Sequence, residues 1–170
     1  MGVLIIILIT VTAWWIITTQ RNLVTMDENI DNAMRLIGIQ LSSNFDTLNV
    51  LLKLAKEYAG DEIGNFIEII QSKHSVILTS STPNEVLRQE NLITEALEYL
   101  SVIIVQYPEL KVDAQYTKYM DIILNCEKMI HSSKLIYNEG VSRLNQEIRR
   151  FPTFLIARIF GFNKREYLFI

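Results

Sequence analysis

The chain has little of what catalytic and metal chemistry usually draws on. It holds one cysteine, Cys126, and two histidines, His74 and His131. One thiol cannot close an internal disulfide, so Cys126 is expected to be a small, reduced core residue. Three nitrogen or sulfur side chains fall short of the four ligands that a structural zinc site takes within one chain. There is no glycine-rich phosphate loop, since Gly60 and Gly64 match no such spacing. Ser42-Ser43 and Ser80-Ser81 lack the elbow turn or adjacent base that would activate a nucleophile. A net charge of −3 argues against nucleic acid as a partner. No run alternates apolar and polar residues for long enough to make a sheet. With 49% hydrophobic and 21% charged residues, what remains is a compact helical fold rather than disorder.

What is present begins with residues 3–17, apolar except for Thr10 and Thr12, whose hydroxyls can bond back to the preceding turn. As a helix, residues 1–19 reach roughly 28 Å, enough for a hydrocarbon core of about 30 Å. Trp14 and Trp15 occupy the place where a cleavable signal would carry small residues, and with Gln20 and Arg21 they form an interfacial belt. The expectation is an uncleaved transmembrane anchor over residues 1–20 and a helical domain over residues 21–170. No Lys or Arg precedes the apolar run, whereas Arg21 and Arg35 follow it. The positive-inside tendency therefore places the N-terminus outside and the domain in the cytosol, at the inner membrane.

After the anchor the apolar residues become periodic without any break. Leu23, Met26, Ile30, Ala33, Ile37, Leu41, Phe45, Leu48, Leu52, Ala55 and Ala59 recur at steps of three and four, one face of a water-soluble helix. Gly60 should end this helix in left-handed C′ geometry, and Asp61 should cap a second over residues 62–78. On that second helix His74, with no acidic neighbour at helical spacing, reads as an exposed side chain. Thr82-Pro83-Asn84-Glu85 is a capping box with proline at the first helical position. The third helix carries Leu87, Ile93, Ala96, Leu97, Leu100, Ile103 and Ile104 and stops before Pro108. Asp113 caps a long fourth helix, Phe151-Pro152 breaks it, and a short fifth runs to Gly161. Short connections make successive helices antiparallel. The architecture expected is all-α: an antiparallel up-down-up-down four-helix bundle whose first helix is continuous with the anchor, closed by a short C-terminal helix.

The fourth helix's stripe is interrupted by Glu127 and Lys134, seven residues and roughly 10 Å apart on one face. Aligning it antiparallel to the first helix, with Ile148 level with Asn22, makes paired residue numbers total about 170. That register predicts a structural polar layer of Asp31, Asn32, Asn138, Lys134 and Glu127, fixing how the helices align. The competing reading is a metal or acid/base centre at Glu127 and His131. A di-iron bundle, however, uses Glu-x-x-His twice with two further carboxylates, and Glu-x-x-x-His occurs here once. No catalytic residue, metal or cofactor is expected.

Residues 149–165 carry Arg149, Arg150, Arg158, Lys164 and Arg165 with no acid among them, interleaved with Phe151, Phe154, Ile159 and Phe160. In an up-down bundle this tail, residues 152–170, returns to the height where the first helix leaves the lipid. Each cation near anionic headgroups there is worth about 1 kcal/mol. The alternative is a lid whose aromatics cover the open end of the bundle, and both can hold together.

With these elements placed, the sequence resembles the LemA family of bacterial membrane-anchored proteins over nearly its whole length. The match runs through Asn22-Leu23-Val24, Asp31-Asn32-Ala33, Gln40-Leu41, Tyr58-Ala59 and Glu62 to Tyr107-Pro108-Glu109-Leu110-Lys111. Its most specific portion is Glu127, Ile130, Tyr137-Asn138, Val141, Asn145 and Ile148, then Phe151-Pro152, Ile156-Ala157 and Gly161-Phe162. The resemblance implies a single N-terminal anchor and a cytosolic helical bundle, and it brings no accepted enzyme activity. The chain departs from the family pattern at residues 43–52, where a paired arginine and a proline are both missing. Lys134 stands where the family favours arginine. Without the proline, the first helix should be straighter near Asn49. The function expected is that of a non-catalytic scaffold or adaptor, touching membrane lipid and membrane or envelope proteins. The alternatives are an enzyme or accessory factor using Glu127, Lys134 and Asp46 at the lipid surface, and a membrane-remodelling protein.

Overall fold

A computed structural model describes every residue except Asp61, so the cap expected there lies outside the described residues. Among those residues every regular element is helical and no strand occurs. The long rod α1 spans Gly2–Ala59, about 87 Å at 1.5 Å per residue. It is followed by α2 (Glu62–Lys73), α3 (Pro83–Gln106), a 3-10 turn (Pro108–Val112), α4 (Ala114–Glu147) and α5 (Thr153–Ile159).

No proline interrupts α1, and nothing covers its first turns, where residues 3–9 are exposed on every side. The hydroxyls in this stretch are spent internally. Thr10 and Thr12 donate to the carbonyls of Ile6 (3.1 Å) and Leu8 (2.7 Å), and Thr18 to that of Trp14 (2.9 Å). From Leu23 onward α1 is the axis on which the other helices pack. Leu23, Ile30, Ile37, Leu41, Leu48, Leu52 and Ala55 are buried there, as their spacing predicts. Met34, Leu51 and Leu54 widen the stripe.

The largest interface joins α1 to α4, which run antiparallel. At the far end the Tyr58 hydroxyl donates to Asp113 Oδ2 (3.0 Å); midway Ser133 Oγ donates to Gln40 Oε1 (3.1 Å); nearer the anchor Gly140 lies against Ile30. The paired numbers stay near 170, the register that the sequence predicts. Asp113 caps α4 by accepting from the Gln115 and Tyr116 amides (2.7 and 3.4 Å). The capping box of α3 forms as expected, with Glu85 Oε2 accepting from the Thr82 amide at 2.6 Å and Thr82 Oγ1 from the Glu85 amide at 3.3 Å.

Two expectations need correction. First, α2 stops at Lys73 instead of Leu78, and residues 74–78 cross α1 without regular secondary structure. Gly38 creates the notch they cross, because a Cβ there would lie 2.4 Å from the Ile77 carbonyl oxygen. Gln89 of α3, 2% exposed, holds the segment from the other side. Its Oε1 accepts from the Ser75 amide (3.1 Å) and His74 Nδ1 (3.0 Å), while Nε2 donates to Ser75 Oγ (3.1 Å). His74 is accordingly no exposed helix histidine but half-buried, its ring stacked on Phe45 at 3.8 Å. Second, Gly60 does take positive φ (73°), but its ψ of −149° is not left-handed helical; it belongs to a region essentially confined to glycine.

Candidate functional site

Three places on the molecule combine polar chemistry with access to solvent. The first is the anchor end. Trp14 is 69% exposed, whereas Trp15 and Ile16 are half-buried against the core, so the two tryptophans of the expected belt differ in role. The helix α5 touches α1 and turns Thr153, Ile156 and Ala157 inward. Phe151, Phe154, Leu155, Ile159 and Phe160 are left in the open. Of the five cations expected at the lipid, Arg158 and Lys164 are exposed. Arg149 is exposed and donates from Nε to the Asn145 carbonyl (3.0 Å), and Arg150 pairs with Glu147 at 3.2 Å.

Arg165 belongs elsewhere, and this is the second place. Its guanidinium reaches Asp27 (2.9 Å) and Asp31 (3.1 Å) on α1, which removes it from the headgroup set. Residues 162–170 follow as an extended strap along α4. Asn145 clamps both backbone groups of Arg165, donating to its carbonyl (2.9 Å) and accepting from its amide (3.0 Å). Seven residues earlier, two helical turns away, Asn138 does the same for Leu168 (2.9 and 2.8 Å), whose side chain is buried. Tyr137 Oη donates to the Glu166 carbonyl (3.2 Å), and desolvation pushes its phenol pKa upward. The strap thus gains paired backbone hydrogen bonds without a sheet.

The third place is a cavity between α1, α3 and α4, lined by Asn44, Glu90, Glu127, His131 and Lys134 among others. Lys134, 7% exposed, donates to both oxygens of Glu90 at 2.8 and 2.9 Å. Removing one partner from so buried a pair costs about 3–5 kcal/mol through the charge left behind. Asn44 is 1% exposed and its Oδ1 has no hydrogen-bond partner among the described residues, a cost of about 1–3 kcal/mol. Glu127 and His131 are exposed at the opening. Asp46 is exposed too, and it does not line the cavity.

The single polar layer expected from the sequence does not assemble. Asp31 serves Arg165, Asn138 serves the strap and Lys134 serves Glu90, while Asn32 only accepts from Arg35 one turn along α1 (3.2 Å). Glu127 is off the stripe altogether, because the buried face runs through Cys126 between Ile123 and Ile130. The numbering sum near 170 set Asn44 opposite Glu127, and both line this cavity, whereas Glu90 and Gln89 were not singled out by the sequence. Each is a polar residue at an apolar periodic position, and that pattern was the signal available.

No group of three or more His, Cys, Asp or Glu side chains able to hold a metal occurs among the described residues. The fold and its ends define a class: an all-helical protein with one helix long and apolar enough to cross a membrane, consistent with membrane association. The model of the LemA family matches residues 33–170, most of the chain, and the protein belongs to that family. A comparison with curated proteins finds no match.

Proposed function

We propose that the protein is a single-pass, membrane-tethered scaffold or adaptor at the inner face of a bacterial cell membrane, without catalysis of its own. The observation that carries this reading is the continuity of α1. One helix holds bare apolar turns at its start and the central packing stripe of the folded body in the rest, with no linker between them. Such a rod sets both the height and the orientation of the body above the lipid. We read α1 to α4 as an up-down-up-down bundle, supported by the antiparallel α1–α4 contacts and the short connections. The excess of Arg and Lys after the apolar run supports a cytosolic body. The exposed apolar side chains of α5, with Arg158 and Lys164 beside them, support contact with headgroups at the same height.

Photo-crosslinking in cells, with reactive residues placed at exposed positions of α3 and α5, tests the assignment. An adaptor gives discrete crosslinks to membrane or envelope proteins through α3 and lipid adducts through α5. Lipid adducts alone at every position would favour membrane remodelling and defeat the adaptor reading. A reporter fused after Ile170 should be active only as a cytoplasmic fusion.

A further inference from the structure

Residues 149–165 carry five cations, and the fold sorts them into two sets. Arg150 pairs with Glu147, and Arg165 with Asp27 and Asp31. Neither lines the open recess of about 620 Å³ between the end of α4, α5 and the start of the strap. Arg149, Arg158 and Lys164 all line it, and none of the three has a carboxylate partner among the described residues. No acid lines the recess among those residues either, in a chain whose net charge is −3.

The three cations come from three elements, each placed by local structure. Arg149 donates from Nε to the Asn145 carbonyl (3.0 Å), which fixes its guanidinium and leaves both Nη groups without a hydrogen-bond partner among the described residues. Arg158 follows Phe154 by one turn of α5, so the two share a face. After α5, Gly161 takes positive φ (76°) and the Phe162 amide donates to the Ala157 carbonyl (2.9 Å). That closing bond turns the chain and brings Lys164 to the recess. Ile148, Phe154 and Phe162 supply apolar wall beside the charges. The α1–α4 register sets the end of α4 level with Arg21, just past the apolar run of α1.

We propose that this recess is a site for the phosphate group of a single anionic phospholipid, whose acyl chain lies against Phe154. Three cations without a counter-charge attract an anion, and a guanidinium already held by its Nε can offer both Nη groups to phosphate oxygens. The apolar wall favours a phosphate that carries hydrocarbon over the free ion. A discrete site differs from diffuse attraction of basic residues to a charged surface, because it depends on the cations that line the recess and not on Arg150. The site rests on the anchored reading above, which puts this end of the body at the lipid.

Native mass spectrometry of the full chain in dodecyl maltoside counts bound lipid directly. One molecule of dioleoyl phosphatidylglycerol should be retained, and none of dioleoyl phosphatidylcholine. Arg158→Gln and Lys164→Gln, both at exposed side chains, should each weaken retention about fivefold, the ratio that one cation near an anionic headgroup is worth. Arg150→Gln removes the same charge from the same end of the molecule and should leave retention unchanged. Equal losses in all three variants would mean diffuse attraction, and equal retention of the two lipids would mean adsorption without a site; either overturns the proposal. Displacement of the lipid by millimolar inorganic phosphate would assign the recess to the free ion and overturns it as well. So would a lowered melting temperature with unchanged retention in Arg158→Gln, which would reduce the cations to caps on helix ends. Retention as expected, with no protein crosslinks through α3 in cells, would keep this site and defeat the adaptor; the converse would defeat the site alone.

Discussion

The two parts of α1 are built from the same side chains and are covered differently: the first is bare, the second is packed by the other helices. Residues 3–17 set apolar side chains on every side of the helix, and residues 3–14 are exposed. Residues 23–55 use the same residue types at steps of three and four, with Asp27, Arg35, Gln40 and Asp46 between them, and α2, α3, α4 and α5 all pack on α1. Apolar content therefore does not distinguish them; its angular distribution does. A stripe leaves a polar face for water and so demands partner helices, whereas a fully apolar surface finds none that could cover it and is matched to hydrocarbon. The border falls at Trp15 and Ile16, the first residues of α1 to lean on the core.

Removing residues 2–20 should break this comparison most completely. The body should move wholly to the soluble fraction and keep its helical circular dichroism, with a melting temperature lowered by the contacts of Trp15 and Ile16. Aggregation of the truncated chain with loss of cooperative unfolding would mean that the apolar turns belong to the core. Sedimentation with membranes after truncation would instead assign the attachment to α5.

The division of α1 was legible because it depends on neighbours within two turns, as do the Thr82–Glu85 box and the Asp113 cap. The α1–α4 register could be read because two long stripes have few ways of matching. What could not be read depends on residues far apart in sequence. The end of α2 at Lys73 is set by Gly38 and Gln89, neither of which lies near it in sequence. Glu90 holds Lys134 across 44 residues, and Asp27 and Asp31 hold Arg165 across more than 130. Glu127 was misplaced for a local reason. Steps of three or four both satisfy a helical period, and at this turn of α4 the step through Cys126 is the one that faces α1. Polar residues were legible as exceptions to a stripe, but their partners were not, since pairing is decided by which helices meet.

Gly38 sharpens the comparison inside the packed part of α1. In an open helix, Gly→Ala is stabilising by about 1 kcal/mol through propensity. At Gly38 the added methyl would sit 2.4 Å from the Ile77 carbonyl, which is backbone and cannot swing aside. Overpacking of this kind costs about 1–3 kcal/mol, so Gly38→Ala should lower the melting temperature by several degrees. Gly2→Ala, in the bare part where nothing lies within 4 Å, should leave it unchanged. A melting temperature that rises with Gly38→Ala would show that residues 74–78 do not cross α1 at this notch. The largest changes in amide exchange should fall in that crossing segment rather than in α4.

The smallest effect belongs to the far end of the rod, where Tyr58 meets Asp113. The Gln115 amide, then the Tyr58 hydroxyl, hold the Asp113 carboxyl below its ordinary pKa. The same hydrogen bond, followed by desolvation, raises that of the Tyr58 phenol. The two shifts act on stability at opposite ends of the pH scale. A depressed carboxyl contributes above its unfolded pKa, and the contribution is lost as pH falls through the folded value, hence below about pH 4. A raised phenol contributes below its unfolded pKa, and that contribution is lost as pH rises beyond about 10. Asp113→Ala should therefore flatten the acid limb of a melting-temperature profile, and Tyr58→Phe should flatten the alkaline limb while changing the acid limb less. Both groups are only partly buried, so each change should be smaller than that of Gly38→Ala. If Tyr58→Phe left the acid limb untouched and Asp113→Ala left the alkaline limb untouched, the hydrogen bond joining the end of α1 to the start of α4 would not be present in solution.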